Sequence, residues 1–233
     1  MSAPLLGSPA CGEGAAPWRL ARFARVTAAK VFPALYRTRF LGEENLPAEG
    51  GYIIAGNHVS YLDPMLLWCG VPRPIHFLAK KELFDIPIIG WVITRVWAFP
   101  IQRASADREA IQRATALLKR GELVGMFPEG TRQRPGPRDD GELGEAHSGV
   151  AFIALRAGVP VVPVGISGTD RALPAGSWLP RFPRVTIRFG PPVDPQEFAS
   201  LDRRERLAAM TAEIMRRIAE QRRLASEGMT HAR

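Results

Sequence analysis

The apolar run Gly51-Tyr52-Ile53-Ile54-Ala55-Gly56 leads directly into the polar stretch Asn57-His58-Val59-Ser60-Tyr61-Leu62-Asp63. An apolar run between glycines is typical of a buried strand. Pro64-Met65-Leu66-Leu67-Trp68 then continues as a helix that Ser60 or Asp63 could cap. The polar residues are therefore expected at a strand-to-helix turn, where α/β proteins expose their binding and catalytic groups.

His58 and Asp63 form a candidate acid–base pair in this turn, because the turn lets their side chains meet. A carboxylate that accepts a hydrogen bond from one imidazole nitrogen fixes the tautomer and leaves the other nitrogen as a base for a hydroxyl. A purely structural role is the alternative. Asp63 before Pro64 also suits a helix start, and Asn57 with Ser60 could satisfy turn amides.

The composition predicts one well-buried domain with an anionic partner. Of 233 residues, 46% are hydrophobic and 23% are charged, which are ordinary globular values. The 31 Lys and Arg residues exceed the 23 Asp and Glu residues, and a net charge of +8 favours a lipid headgroup, a nucleotide, a phosphorylated substrate or a nucleic acid.

Two cysteines form neither a disulfide framework nor a metal set, which indicates a reducing cytosolic setting. No uncharged apolar run reaches about 18 residues, so no transmembrane span is expected.

The N-terminal part divides into two segments. Residues 1–16 are small, lack the pattern of a secretory signal and are expected to form a mobile tail. Residues 17–41 contain six basic and no acidic residues among bulky apolar ones such as Trp18 and Phe23. This pattern is typical of an amphipathic helix in a membrane interface. A helix packed on the domain with a solvated basic face is the alternative.

Further apolar runs predict the other elements of an α/β domain. Strands are expected at 75–79, 98–103, 123–127, 159–165 and 185–190, and helices at 105–119, 148–156 and 202–223. Two prolines in 159–165 exclude regular central pairing on both sides. The last helix carries one apolar stripe that predicts packing on the sheet, with membrane contact as the alternative, and 225–233 should fray. The apolar segment 86–93 is either core or the lining of an acyl-chain groove.

A second polar turn follows the strand at 123–127, at Pro128-Glu129-Gly130-Thr131-Arg132. The carboxyl ends of parallel strands gather at one edge of a sheet, so Glu129 and Arg132 are expected beside His58. The strand at 98–103 delivers Arg103 to its end. A guanidinium there suits bidentate phosphate recognition, and an ordinary surface arginine is the alternative.

Four polar or proline-containing blocks follow one another in a fixed order between residues 40 and 190. They are Asn57 to Asp63, Phe99-Pro100-Ile101-Gln102-Arg103, Phe127-Pro128-Glu129-Gly130-Thr131-Arg132, and Val161-Val162-Pro163-Val164. Together they resemble the glycerophospholipid acyltransferase superfamily, and most closely its 1-acylglycerol-3-phosphate acyltransferases.

The resemblance implies a role for each matched residue. His58 would be the catalytic base and Asp63 its orienting partner. The acceptor phosphate would be bound by Arg103 and Arg132, in an acceptor site shaped by Glu129, Gly130 and Thr131. The acyl group would come from a thioester of coenzyme A or acyl carrier protein, without a metal or other cofactor. Where the superfamily usually places a lysine before the next helix, this chain has His147, which leaves the acceptor preference open.

We therefore expect an α/β fold with a mixed, mostly parallel sheet flanked by helices, and an N-terminal amphipathic segment in the membrane interface. The acyltransferase domain would span 42–224. The expected activity makes phosphatidic acid from 1-acylglycerol-3-phosphate, as a peripheral protein on the cytoplasmic face of the cell membrane. Two alternatives are an acyltransferase for another lysophospholipid or acceptor, and an inactive protein that binds anionic lipid. Nucleic-acid binding is not expected, because no recognised motif accompanies the basic residues.

Overall fold

The computed structural model describes residues 30–80, 99–101, 106–129, 148–172 and 181–230. Seven strands form one sheet in the order β1-β7-β6-β2-β5-β3-β4. The strands are β1 Arg39–Leu41, β2 Tyr52–Gly56, β3 Ile75–Lys80, β4 Phe99–Ile101, β5 Leu123–Met126, β6 Val161–Ser167 and β7 Thr186–Phe189. The main helices of the described ranges are α1 Asp63–Cys69, α2 Ala106–Lys119, α3 Gly149–Ala157 and α4 Arg203–Thr230.

The direction of the strands decides what lies at each edge of the sheet. All neighbouring strands run parallel except β6 and β7, which pair antiparallel with Ser167 opposite Thr186. The expected mixed, mostly parallel sheet with flanking helices is thereby confirmed. Because β1 is parallel to β7, both strands begin at the edge where β2, β5 and β6 end. We call this the catalytic edge, since His58 and Glu129 follow β2 and β5 there.

Side chains of the central strands enter two separate hydrophobic cores. Tyr52 and Ile54 of β2 point toward α1 and Tyr36 on one face, while Ile53 and Ala55 point toward α2, α3 and α4 on the other. All four are fully buried, which explains why β2 is apolar throughout instead of alternating. Each fully buried large apolar side chain of this kind contributes about 1.5–3 kcal/mol to the free energy of unfolding.

The expectation that prolines keep 159–165 from central pairing is wrong. β6 pairs with β2 on one side and with β7 on the other. The carbonyl of Pro163 accepts a hydrogen bond of 2.8 Å from the Gly190 N–H, so its ring nitrogen also faces the β7 side. β7 has ended at Phe189, and Pro191 follows. The missing proline N–H therefore removes one bond at the end of a ladder, not one in the middle.

The C-terminal helix is longer than the sequence indicates and packs on the sheet. Its stripe of Met210, Ile214 and Ile218 is buried, which confirms the predicted packing. The helix continues to Thr230 with Ala225 fully buried, so the expected fraying from 225 does not occur over 225–230. Packing of the apolar stripe on β6 and β7 outweighs the tendency of a terminal segment to fray.

The N-terminal boundary also differs from the expectation. Residues 30–35 are helical, but Arg39–Leu41 forms the edge strand β1 instead of the end of an interfacial helix. The ring of Phe40 fills the space above Gly70, which ties this strand to the core. The segments 1–29, 81–98 and 231–233, with the expected tail and the apolar run at 86–93, lie outside the described residues. Within the described ranges, no helix combines the length and the apolar character needed to cross a bilayer.

Candidate active site

The His58–Asp63 pair forms at the end of β2. The first residue of α1 is Asp63, whose side chain is fully buried. Its Oδ2 atom accepts hydrogen bonds from His58 Nδ1 at 2.9 Å and from the backbone N–H groups of Val59 and Ser60 at 2.8 and 2.7 Å. Since a carboxylate only accepts, Nδ1 carries the proton and Nε2 keeps a lone pair. The His58 side chain is 17% exposed, which leaves this ring accessible from solvent.

The sequence suggests that Ser60 or Asp63 could cap the following helix, but neither side chain does so. The N-cap of α1 is Leu62, without a side-chain hydrogen bond. The carboxylate of Asp63 turns back toward the loop, and the Ser60 hydroxyl accepts a 3.3 Å bond from the Leu62 N–H. One buried carboxylate therefore holds both the loop backbone and the imidazole.

Asn57 anchors the start of the loop between β2 and α1, residues 57–62, which is called the catalytic loop below. Its side-chain Nδ2 donates to the Ile166 carbonyl at 2.9 Å, and its Oδ1 accepts from the Ile166 N–H at 2.7 Å. The fully buried amide thus replaces two ladder bonds between the end of β2 and β6. The sequence suggested that Asn57 satisfies turn amides, but its partner lies on another strand.

An aromatic stack supports the imidazole from the side. The Phe127 ring lies 4.2 Å from the His58 ring at 18°, and the Phe77 ring lies 6.2 Å from Phe127 at 9°. Gly125 makes room for this stack, because a Cβ atom there would collide with the Phe77 ring. Sequence reasoning missed this role. The available signal was an aromatic residue at the end of the strand that precedes Pro128.

Glu129 lies beside His58 as a buried carboxylate. The residue is 5% exposed, and the backbone N–H of His58 donates to its carboxylate. Its Oε2 atom has no hydrogen-bond partner among the described residues. Burial raises the pKa of Glu129, nearby Asp63 raises it further, and the His58 hydrogen bond together with the charges of Arg222 and His58 opposes this rise.

The other predicted acceptor-site residues lie outside the described residues. They are Arg103, Gly130, Thr131 and Arg132, and His147 lies outside as well. The described part of the site therefore contains a histidine bonded to a buried carboxylate, a phenylalanine ring stacked on that histidine, and a second buried carboxylate. Among the described residues, no group of three or more metal-ligating side chains comes together.

Comparisons with known proteins agree with this architecture. The acyltransferase family model matches residues 37–167. A Bacillus subtilis protein described as 1-acyl-sn-glycerol-3-phosphate acyltransferase is 37% identical over 179 residues, which are 76% of this chain and 84% of the relative. A Pseudomonas aeruginosa lyso-ornithine lipid O-acyltransferase is 37% identical over 183 residues, covering 71% and 67%. The crystal structure of the 1-acyl-sn-glycerophosphate (LPA) acyltransferase PlsC from Thermotoga maritima aligns with a TM-score of 0.66 at 29% identity, covering 88% of this chain and 81% of that one.

The family match spans more than half of the chain and includes β2, the catalytic loop, β5 and β6. The B. subtilis relative aligns over most of both proteins. This chain belongs to the acyltransferase family of the glycerophospholipid acyltransferase superfamily, as an enzyme of the O-acyltransferase class.

Proposed function

We propose that this enzyme transfers a fatty acyl group from an acyl thioester to the free hydroxyl of 1-acylglycerol-3-phosphate, giving phosphatidic acid. The observation that carries the proposal is the bond from His58 Nδ1 to the buried Asp63, which leaves Nε2 as the accessible base. The names of the B. subtilis relative and of the T. maritima structure support this acceptor.

In the proposed mechanism His58 acts as a general base and then as a general acid. Nε2 takes the acceptor hydroxyl proton as the oxygen attacks the thioester carbonyl, and the imidazolium is stabilised by Asp63. The tetrahedral intermediate then expels the thiolate, which receives the proton back from Nε2. The N–H groups of Val59 and Ser60 already donate to Asp63, so the oxyanion must find other donors.

No acyl-enzyme forms in this mechanism. The Ser60 hydroxyl accepts a hydrogen bond from its own loop, and the residue is 9% exposed. The base is therefore free to activate the acceptor instead of a protein nucleophile. The acceptor phosphate is assigned to Arg103 and Arg132, and the donor is coenzyme A or acyl carrier protein, both of which are anionic. No metal is required.

The acceptor is tested by supplying wild-type protein with a long-chain acyl-coenzyme A or acyl carrier protein and a panel of lysolipids. We expect thioester consumption with 1-acylglycerol-3-phosphate and phosphatidic acid as the product, identified by mass spectrometry. Preference for lyso-ornithine lipid is the second candidate, favoured by the P. aeruginosa relative. No turnover with any acceptor, combined with binding to anionic vesicles, would leave only the lipid-binding alternative. A stable acyl adduct on Ser60 would contradict the direct mechanism.

We further propose that the protein works as a peripheral enzyme on the cytoplasmic membrane face, with its catalytic edge toward the lipid. Val31, Leu35 and Phe182 are large apolar residues with 53%, 44% and 48% exposure. The Phe182 ring packs 5.5 Å from Tyr36, which joins the 30–35 helix to the segment before β7. Both segments precede strands that begin at the catalytic edge. Exposed basic residues lie near these apolar residues in the sequence, namely Lys30, Arg37, Arg39 and Arg181.

This orientation predicts the effect of placing charge on the apolar patch. Leu35→Asp and Phe182→Asp should each reduce partitioning onto vesicles containing phosphatidylglycerol by roughly tenfold, because burying one large apolar side chain contributes about 1.5–3 kcal/mol. Co-sedimentation with sucrose-loaded vesicles measures the effect. Ala116→Asp, an equal charge change on the exposed side of α2, is the matched control and should bind like wild type. Equal binding by all four proteins would refute this orientation.

A further inference from the structure

The C-terminal helix approaches the catalytic edge more closely than ordinary helix–sheet packing allows. A Cβ atom at Gly165 would collide with the α4 backbone at Gln221 and Arg222, so α4 lies directly on β6 at this point. This contact is at the level of the catalytic loop. The preceding residue of β6, Val164, pairs with Gly56, and the following residue, Ile166, is bonded to Asn57. Glycine at position 165 thereby places Arg222 next to the strand end that carries His58.

Arg222 differs from the other arginines of this part of α4. Arg216 and Arg217 pair with Glu213, and Arg223 pairs with Glu227 on the exposed face. The Arg222 side chain is half-buried, and it makes no hydrogen bond or ion pair with any residue of the described ranges. Its charge acts instead on the buried carboxylate of Glu129.

Burial and a like charge both act against the charged form of the Glu129 carboxylate. It is 5% exposed, one of its oxygens has no hydrogen-bond partner within the described part of the chain, and the Asp63 carboxylate adds like-charge repulsion. Among the described residues, the groups that oppose this are Arg222 and the ring and backbone N–H of His58. Neutral His58 is the base required by the proposed mechanism, so Arg222 is the permanent cation that the described ranges supply to this group.

We propose that Arg222 is a positioning residue of the active site, whose guanidinium stabilises the Glu129 carboxylate that accepts from the His58 backbone N–H. The His58 amide follows Asn57 in the loop that also carries the imidazole, so losing the acceptor at Glu129 loosens the base. The activity measurements below rest on the proposed function, whereas the stability measurements do not.

The first test compares the pH dependence of kcat/KM for wild type, Arg222→Leu, Arg222→Lys and Arg223→Leu. Without the guanidinium, Glu129 protonates at higher pH, so the acid limb of Arg222→Leu should move upward. Activity at neutral pH should fall roughly tenfold and recover as the pH is raised. Lysine should restore most of the activity, and Arg223→Leu should behave as wild type, since Arg223 is 61% exposed and pairs with Glu227. A loss that is the same at every pH would overturn the proposal.

The second test needs no catalytic activity. The urea midpoint of Arg222→Leu is compared with that of wild type as a function of pH. The same comparison is made between the double variant with Glu129→Gln and Glu129→Gln alone. Removing the cation raises the pKa of Glu129 further above its unfolded value, so the added destabilisation is present above the folded pKa and disappears as the pH falls through it. This pH-dependent part should vanish with glutamine at 129. If it persists there, or if no pH-dependent part exists, Arg222 does not act through Glu129, whatever the acceptor of the enzyme is.

Discussion

His58→Ala should lower the rate of thioester consumption by roughly 100- to 10,000-fold, the usual contribution of a positioned general base. Asp63 cannot replace the imidazole as the base, since its carboxylate is fully buried and its Oδ2 atom accepts from two loop N–H groups. The loss should appear in kcat with little change in the KM of the thioester, because His58 is not assigned to binding the donor. Steady-state release of free thiol measures both parameters.

His76 provides a matched control for this variant. Its Nε2 atom lies 2.6 Å from Glu122 Oε2, and its side chain is 18% exposed, almost the same as His58. This pair lies at the opposite edge of the sheet, where β3 and β5 begin. His76→Ala should therefore retain nearly full activity. Activity in His58→Ala within a few fold of wild type would remove His58 from the chemistry.

Asp63→Asn should lower kcat by roughly 1,000- to 10,000-fold, as the equivalent change does in other carboxylate–histidine pairs. The Oδ2 atom that faces His58 also accepts from the Val59 and Ser60 N–H groups, so an asparagine would keep its oxygen there and offer the imidazole a neutral, weaker acceptor. The imidazolium of the transition state would also lose its counter-charge. The measurement is kcat over a range of pH, with circular dichroism to confirm folding.

Asp202 provides a control that distinguishes the catalytic effect of Asp63→Asn from the effect of weakening hydrogen bonds to backbone N–H groups. Its Oδ1 atom accepts from the N–H groups of Arg204 and Glu205 at 2.8 and 2.9 Å, as Asp63 accepts from two loop amides. Asp202→Asn should leave kcat unchanged. The double variant of His58→Ala with Asp63→Asn should be no slower than His58→Ala alone, because the two groups act as one unit. Additive losses would show that Asp63 acts independently of His58.

Local sequence patterns predict most of the elements and the position of the first polar turn. The apolar run of β2 and the turn after it are local features, so the His58–Asp63 pair follows from residues five positions apart in one loop. The long-range contacts that sequence reasoning missed join distant segments. Asn57 bonds to Ile166 and Phe127 stacks on His58, and neither partner can be identified from the periodicity of its own segment.

The predictions for the proline-containing strand β6 and for the end of α4 fail for a related reason. A proline excludes a hydrogen bond only where a partner strand is present, and the length of β7 sets whether Pro163 faces one. In the same way, the end of α4 depends on the surface that it covers, since Ala225 is buried near the helix end. Local propensity cannot supply either fact, because both depend on the assembled sheet.

The pairing of β1 with β7 also sets an order of events during synthesis. Among the described strands, the first to leave the ribosome lies at the edge of the sheet, and its partner is the last to emerge. β1 can therefore pair with β7 only after nearly the whole domain has been translated. This pairing closes a long loop, which costs chain entropy. During that interval the preceding helical residues 30–35, with Val31 and Leu35, lack the contact of Tyr36 with Phe182 that joins them to the segment before β7. A nascent chain could thus engage a bilayer through this segment before its catalytic edge is complete.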